Sequence, residues 1–319
     1  AGRQLSRPAA LQAARQPAIA LPRMTSPYIG RFAPTPSGLL HFGSLVAALA
    51  SYLDARHAGG QWLIRIEDLD QVRSQPDAET QILQALDDFG LEHDGQIVRQ
   101  SERLDLYRAQ IERWLDDGLA YYCDCPRKTL LQHGPVYPGT CAGRRLQAAA
   151  DHAVRVRVND TPITCIDRLQ PPLTHNLASE LGDFIIRRRD GVYAYQLAVV
   201  LDDIDQGVTD VVRGADLLDS TPRQIWLYQL LGQTPPRYLH VPLIMRPDGE
   251  KLSKRLGSAP LQRTQAPATL WRALRALAQP VPETLRGAPV AELLQWGIAH
   301  WQPGRLPATK HILEASLPS

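Results

Sequence analysis

Long apolar runs are missing from this chain: no stretch approaches the ~20 residues that a membrane-spanning helix needs, so nothing in it predicts a membrane partner. Cysteine is scarce too, with four among 319 residues, which excludes the disulfide framework on which small secreted domains depend. Acidic residues are absent from positions 1–53, where Arg3, Arg7, Arg15 and Arg23 punctuate an Ala-, Gln- and Pro-rich run. Targeting segments share that bias, but this run is poor in serine and its prolines interrupt any amphipathic helix. Residues 1–26 are therefore read as a flexible extension, with Met24 as the working start. Neither sign of charge is in excess: a net charge of +2 demands no nucleic-acid partner, although a local basic face remains open. Hydrophobic residues at 44% and charged residues at 21% fit a globular chain. Its length allows a large α/β domain with an insertion.

Along the chain, residues 28–32 read as a strand, 33–40 as a Pro/Gly loop, 42–57 as a helix stopped by Gly59-Gly60, and 62–66 as a second strand. This βαβ pattern predicts parallel strands and a right-handed crossover. Ser74 and Asp77 resemble a capping box ahead of Ile82, Leu83, Leu86 and Phe89 at helical spacing, and a further helix runs from Ser101 to Gly118. Residues 121–182 differ in texture, with clustered thiols, prolines and short strands, and read as an insertion. Asp190-Gly191, between 184–189 and 192–197, signals a hairpin, and 239–245 reads as a buried parallel strand. After Ala259, leucines at helical spacing predict a small helical module. The domain scheme is thus 1–26, 27–120, 121–182, 183–258 and 259–319.

Two segments carry nucleotide chemistry. Arg31-Phe-Ala-Pro-Thr-Pro-Ser-Gly-Leu-Leu-His-Phe-Gly-Ser44 occupies the first strand–loop–helix turn, where a parallel α/β sheet binds phosphate. Its prolines stiffen the loop, Gly38 and Gly43 let backbone approach a ligand, and the helix start after His41 offers unpaired N–H groups to an anion. Lys251-Leu-Ser-Lys-Arg255 follows the Asp248-Gly249 turn, and two lysines there can wrap a triphosphate as pyrophosphate leaves. ATP binding is therefore assigned to His41, Gly43, Ser44, Lys251, Ser253 and Lys254, with His41 and Lys254 catalytic. Read alone, the first segment is also an ordinary Pro/Gly loop and the second a solvated basic loop.

Together the segments resemble the paired signature motifs of class I aminoacyl-tRNA synthetases. Tyr28-Ile-Gly-Arg-Phe-Ala-Pro-Thr-Pro-Ser-Gly38, Ile64-Arg-Ile-Glu-Asp68, Ala194-Tyr-Gln-Leu-Ala198 and Val211-Val-Arg-Gly-Ala-Asp216 are similar to the glutamyl-tRNA synthetase lineage. Within it the chain looks like the short branch that lacks an anticodon-binding domain and acts on queuosine of tRNA(Asp), since only residues 256–319 follow the lysine loop. The resemblance spans residues 28–257. It implies an α/β fold: a Rossmann-like parallel sheet with a zinc-containing insertion and a short C-terminal helical module. It also implies a glutamate pocket formed by Arg31, Phe32, Ala33, Pro34, Thr35, Glu67, Tyr195 and Arg213. The set suits a substrate with two carboxylates and one ammonium, because arginine offers a planar fork to a carboxylate. The implied reaction converts L-glutamate and ATP to glutamyl-AMP and pyrophosphate, with Mg2+ on the nucleotide, and passes the glutamyl group to queuosine-bearing tRNA(Asp). A cytoplasmic monomer is expected. Ser44 in place of the second histidine of the first motif, and Arg255 in place of the last serine of the second, keep a silent paralogue open. A truncated synthetase charging the tRNA 3′ end stays open as well.

Cys123, Cys125 and Cys141 supply three thiolates, and tetrahedral zinc requires a fourth ligand. Ligand chemistry alone points to His133; the family pattern places Tyr137 there instead, and Tyr137 is the assignment adopted. Three thiols without metal remain the alternative. The site would be structural, and Cys165 would pack as a small hydrophobe. Arg144-Arg145 and Arg187-Arg188-Arg189 are the clearest basic clusters, suited to RNA phosphate or to plain solvent.

Overall fold

The structure, a computed structural model, describes residues 27–132, 134–250, 252 and 259–317. Residues 1–26, His133, Lys251, Ser253, Lys254 and Arg255 lie outside the described residues, so the readings that fall on them have no structural counterpart here.

The first unit is strand β1 (Ile29–Phe32), helix α1 (Phe42–His57) and strand β2 (Gln61–Ile66). The strands are parallel, with Ile29 opposite Gln61 and Phe32 opposite Ile64. Gly60 is required at the return: a Cβ there would lie 2.3 Å from the carbonyl oxygen of Tyr28. Helix α1 is buried almost all round, from Leu45 to Ala55, so it serves as the axle of the core. Burying each of its leucines is worth about 1.5–3 kcal/mol.

Helix α2 (Ala78–Asp88), the short strand β3 (Val98–Arg99) and helix α3 (Leu104–Asp116) follow, β3 pairing parallel with β2. The capping box does not form. Asp77 stands at the cap with φ 61° and no side-chain bond, while Ser74 Oγ donates back to Asp70 O at 3.3 Å. Helix α3 starts later than Ser101, because the Ser101 amide and hydroxyl donate to Asp68 at 2.8 and 2.6 Å and hold a 3-10 turn instead.

Next come β4 (Ala120–Cys123), α4 (Arg127–Gln132), β5 (Ala153–Val156), β6 (Ile163–Cys165), β7 (Leu173–His175), α5 (Leu177–Glu180) and β8 (Phe184–Arg187). Strands β4, β5 and β8 form one antiparallel sheet, and β6 pairs with β7. Strand β8 lies beyond Gly182 yet completes this sheet. The hairpin expected around Asp190-Gly191 forms but is shorter than read: Arg187 bridges Tyr193 antiparallel, the Arg188 amide donates to Val192 O at 2.8 Å and the Ala194 amide to Ile186 O at 2.9 Å, and helix α6 (Tyr195–Asp205) begins where the second strand was expected to continue. Residues 196–203 of α6 are all buried, so the segment shows no helical periodicity and imitates a buried strand.

The chain re-enters the parallel layer through β9 (Asp210–Gly214), α7 (Thr221–Leu230) and β10 (Arg237–Val241), with β9 and β10 parallel and Arg213 opposite His240. The Thr209 amide donates to Ile29 O at 2.9 Å, setting β9 beside β1. The single strand expected over 239–245 is also corrected. Pro242 has no N–H to offer, and the run splits into β10 and β11 (Leu243–Met245). Helices α8 (Ala266–Ala276) and α9 (Val290–His300) pack on α1, where Gly297 lets Leu53 and Leu274 approach. A closing strand the leucine spacing does not announce, β12 (His311–Leu313), pairs parallel with β11.

Candidate active site

A cleft of about 630 Å³ opens at the carboxyl ends of β1, β2 and β9, the place where an open parallel sheet receives ligands. Arg31, Phe32, Ala33, Pro34, Thr35, Glu67, Tyr195 and Arg213 all line it, as does Ser44. Strand β1 supplies Arg31 and Phe32, the β1–α1 loop supplies Ala33, Pro34 and Thr35, β2 ends just before Glu67, Tyr195 opens α6, and Arg213 is the penultimate residue of β9. His41 caps α1, its Nδ1 accepting from the Ser44 amide at 3.3 Å. A Cβ on Gly43 would lie 3.2 Å from the His41 ring and 3.7 Å from Leu252 Cβ. Leu252, the member of Lys251-Leu-Ser-Lys-Arg255 among the described residues, therefore stands beside the start of α1.

The pocket's charges are tied together from beneath. Arg31 donates from Nε and Nη2 to Asp203 at 3.1 and 3.4 Å, and Arg65 Nη1 donates to the same carboxylate at 2.7 Å. Arg65 Nη2 stands 3.5 Å from Glu67 Oε1. Burial alone would raise the Asp203 carboxyl, but the two guanidiniums outweigh it and hold it below the ordinary carboxylate range. For Glu67 burial wins over Arg65 and Arg31, pushing its carboxyl up to about 7. Arg31 is thus at once an ion-pair member and a wall of the cleft.

Arg213 is fixed by a second chain of bonds. Its Nε donates to His240 Nε2 at 2.9 Å, its Nη2 to Thr221 Oγ1 at 2.9 Å and its Nη1 to the Tyr195 hydroxyl at 3.4 Å. His240 Nδ1 meets Asp167 Oδ2 at 2.6 Å. Burial lowers the imidazole pKa despite Asp167, so the ring is neutral. Asp203, Arg65, His240 and Asp167 are absent from the sequence assignment. The signal for Asp203 was there: an acid inside a helix with no polar face needs a cationic partner.

In the insertion, the sulfurs of Cys123, Cys125 and Cys141 lie within 4.8 Å of one another and all three residues are buried. The Tyr137 hydroxyl is 3.6 Å from Cys123 Sγ and 3.8 Å from Cys125 Sγ, and it accepts from the Cys141 amide at 3.0 Å. Cys123, Cys125 and Cys141 are positioned to hold a metal ion, and their soft, buried thiol set has the character of a structural site. Burial raises the Cys125 thiol to about 11. At Cys123 the raising effect of burial is outweighed by hydrogen bonds from Arg155 and Tyr137, which lower it. Cys165 is buried in the neighbouring core, its thiol pushed up by burial to about 12. The basic clusters are largely engaged: Arg144 pairs with Asp124, Arg188 with Asp70 and Asp190, and Arg189 with Asp151. Among the described residues no helix is long and apolar enough to cross a membrane.

The family described as tRNA synthetases class I (E and Q), catalytic domain, matches residues 29–135 and 142–269. The chain belongs to this family of ligases and has the class I synthetase fold. It is 58% identical over 294 residues to the glutamyl-Q tRNA(Asp) synthetase of Pseudomonas fluorescens, covering 92% of this chain and 98% of that one. Identity to the protein of the same name from Pseudomonas aeruginosa is 56% over 296 residues, covering 92% and 100%. Among solved structures, a glutamate tRNA ligase from Elizabethkingia meningosepticum in complex with its amino acid superposes with a TM-score of 0.76 at 25% identity, covering 89% of this chain and 66% of that one. The glutamate-tRNA synthetase of Elizabethkingia anophelis gives 0.77 at 24% identity and shares the fold. The chain thus spans about two thirds of these ligases and nearly all of the shorter relatives.

Proposed function

We propose that this protein activates L-glutamate with ATP and transfers the glutamyl group to the queuosine base of tRNA(Asp). The observation that carries the reading is the convergence of Arg31, Glu67, Tyr195 and Arg213 in one cleft, beside a helix start that Leu252 approaches. Arg31 and Arg213 meet carboxylate, and Glu67 meets the ammonium. The α-carboxylate of glutamate is already ionised at neutral pH. It attacks the α-phosphorus of ATP, and pyrophosphate leaves. His41 and Lys254 stabilise the charge that develops on the phosphates, with Gly43, Ser44, Lys251 and Ser253 holding the nucleotide and Mg2+ travelling with it.

In the second step a hydroxyl of the queuosine ring bonds to the activated carbonyl, AMP departs and the hydroxyl proton is released. Zinc on Cys123, Cys125, Cys141 and Tyr137 would hold the insertion in shape at a distance from the chemistry. The protein acts in the cytoplasm as a monomer. Glutamate-dependent ATP–pyrophosphate exchange, followed by transfer to tRNA(Asp) with and without queuosine, tests the reading. Exchange is expected, and transfer only to the modified tRNA. Labelling that ignores the modified base would move the acceptor to the tRNA 3′ end.

A further inference from the structure

A second cleft, of about 310 Å³, lies where the insertion meets the starts of α6 and α7, between the loop before Tyr137, strand β8, Gln196 and Arg223. Its wall is firm. The Tyr137 amide donates to Leu181 O at 2.9 Å, and a Cβ on Gly182 would come within 2.3 Å of Tyr137 O. Most polar groups around it are already spent. Arg155 donates to Asp183 O at 2.7 Å and to Cys123 Sγ at 3.3 Å, while the Asp183 carboxylate accepts from the Tyr121 hydroxyl and the Val158 amide at 2.7 and 2.8 Å.

Arg223 is the exception. Its guanidinium donates to Ser220 Oγ at 3.2 Å, and among the described residues no carboxylate is hydrogen-bonded to it, Asp219 acting only from a distance. Burial pulls its pKa down, and Asp219 and Tyr195 offset that only in part. Gln196 Oε1 accepts from Gln224 Nε2 at 2.9 Å, which leaves the Gln196 amide nitrogen as a second donor on the lining. The remaining walls, Val136, Leu181 and Phe184, are apolar. An uncompensated guanidinium with a neutral donor and apolar walls suits a phosphate attached to a base or ribose. The cleft has the capacity of a small ligand site.

Tyr195 lines the large cleft and the adjacent Gln196 lines this one, so the two lie back to back across the start of α6. We propose that the cleft at Arg223 binds a backbone phosphate and its nucleoside from the acceptor RNA while the nucleotide to be modified occupies the large cleft. This inference rests on the glutamyl-transfer reading above, and it assigns the RNA a foothold away from the residues that make the adenylate.

Arg223→Gln is expected to leave glutamate-dependent ATP–pyrophosphate exchange unchanged, which also reports that the variant folds. The same variant should raise KM for queuosine-bearing tRNA(Asp) about tenfold and make log Kd against log salt shallower by about 0.7. Arg223→Lys should keep the salt slope. Wild-type KM and salt slope in Arg223→Gln would overturn the site, and so would an equal loss of exchange in both variants, which marks a structural role. Direct binding of tRNA(Asp), read as Kd, tests the cleft independently of catalysis. Wild-type protein without glutamate-dependent exchange would defeat the glutamyl reading instead.

Discussion

Arg213 and His240 face each other across neighbouring parallel strands, the Nε–H of the arginine donating to Nε2 of the histidine at 2.9 Å. A guanidinium can only donate, so His240 must present a lone pair there and carry its proton on Nδ1, toward Asp167. The histidine therefore selects one orientation of the arginine fork. Replacing it by alanine removes the acceptor of a charge-assisted bond, worth about 1.5–3 kcal/mol. His240→Ala should raise the glutamate KM in pyrophosphate exchange about 10–100-fold with kcat changed far less. His240→Gln, whose Oε1 can accept from Arg213, should recover much of the loss. A fall in kcat at constant KM would contradict this positioning role.

Glu67 makes glutamate binding depend on pH. Its carboxyl, raised by burial to about 7 in the free pocket, must be ionised to meet an ammonium. Below that value, binding has to expel a proton, and above it no such cost remains. The glutamate KM should therefore fall as pH rises from about 6 to about 8, and Glu67→Gln should flatten the profile at a raised KM. A flat profile in the unaltered protein would remove Glu67 from the ammonium site.

Asp203 joins two buried arginines, and Asp203→Asn would leave both facing a neutral amide. The loss should be about 3–5 kcal/mol, measurable by urea denaturation at neutral pH. The folded-state pKa is depressed, so the stabilisation is complete above the ordinary carboxylate range and disappears as pH falls through the folded value. Unaltered protein should lose more stability on acidification than the variant does.

For the thiol cluster, elemental analysis should find about one zinc per chain. Cys141→Ser should abolish it and expose residues 120–187 to limited proteolysis. Transfer to tRNA(Asp) should suffer more than pyrophosphate exchange. Tyr137→Phe should keep the thiolates but weaken metal affinity, and unchanged affinity would exclude the phenol as a ligand.

Lys254→Ala should lower the exchange kcat by about 10²–10³ while leaving the glutamate KM near its original value, as for a contact made in the transition state. Loss through glutamate affinity alone would argue against that role.

The pocket walls were legible because each lies in a short contiguous motif, and the first βαβ unit because its turn, helix stop and strand are local signals. Their supports were not. Arg31 and Asp203 are 172 positions apart, and Arg65 and Asp203 138 apart, and no local pattern joins them. Residues 195–197 belong to a helix rather than to the returning strand, and a helix buried on nearly every face loses the period that announces a helix. Pro242 was visible, and its missing N–H should have divided the strand. Strand β12 escaped because three residues carry too little pattern, and their partner lies far back in the chain.

That last strand alters what the far end of the protein does. Strand β11, which β12 pairs with, runs into the turn that leads to the lysine loop, and the Leu252 amide returns to Ile244 O at 3.1 Å. Gln170 clasps the same region, donating to His240 O at 2.9 Å and to Thr309 O at 3.1 Å. The tail therefore braces the strand and turn that lead into Lys251-Leu-Ser-Lys-Arg255 from the side. If the proposed function holds, peeling it away, by a fusion partner or a nick beyond Pro307, should slow pyrophosphate exchange at saturating glutamate before it raises the glutamate KM.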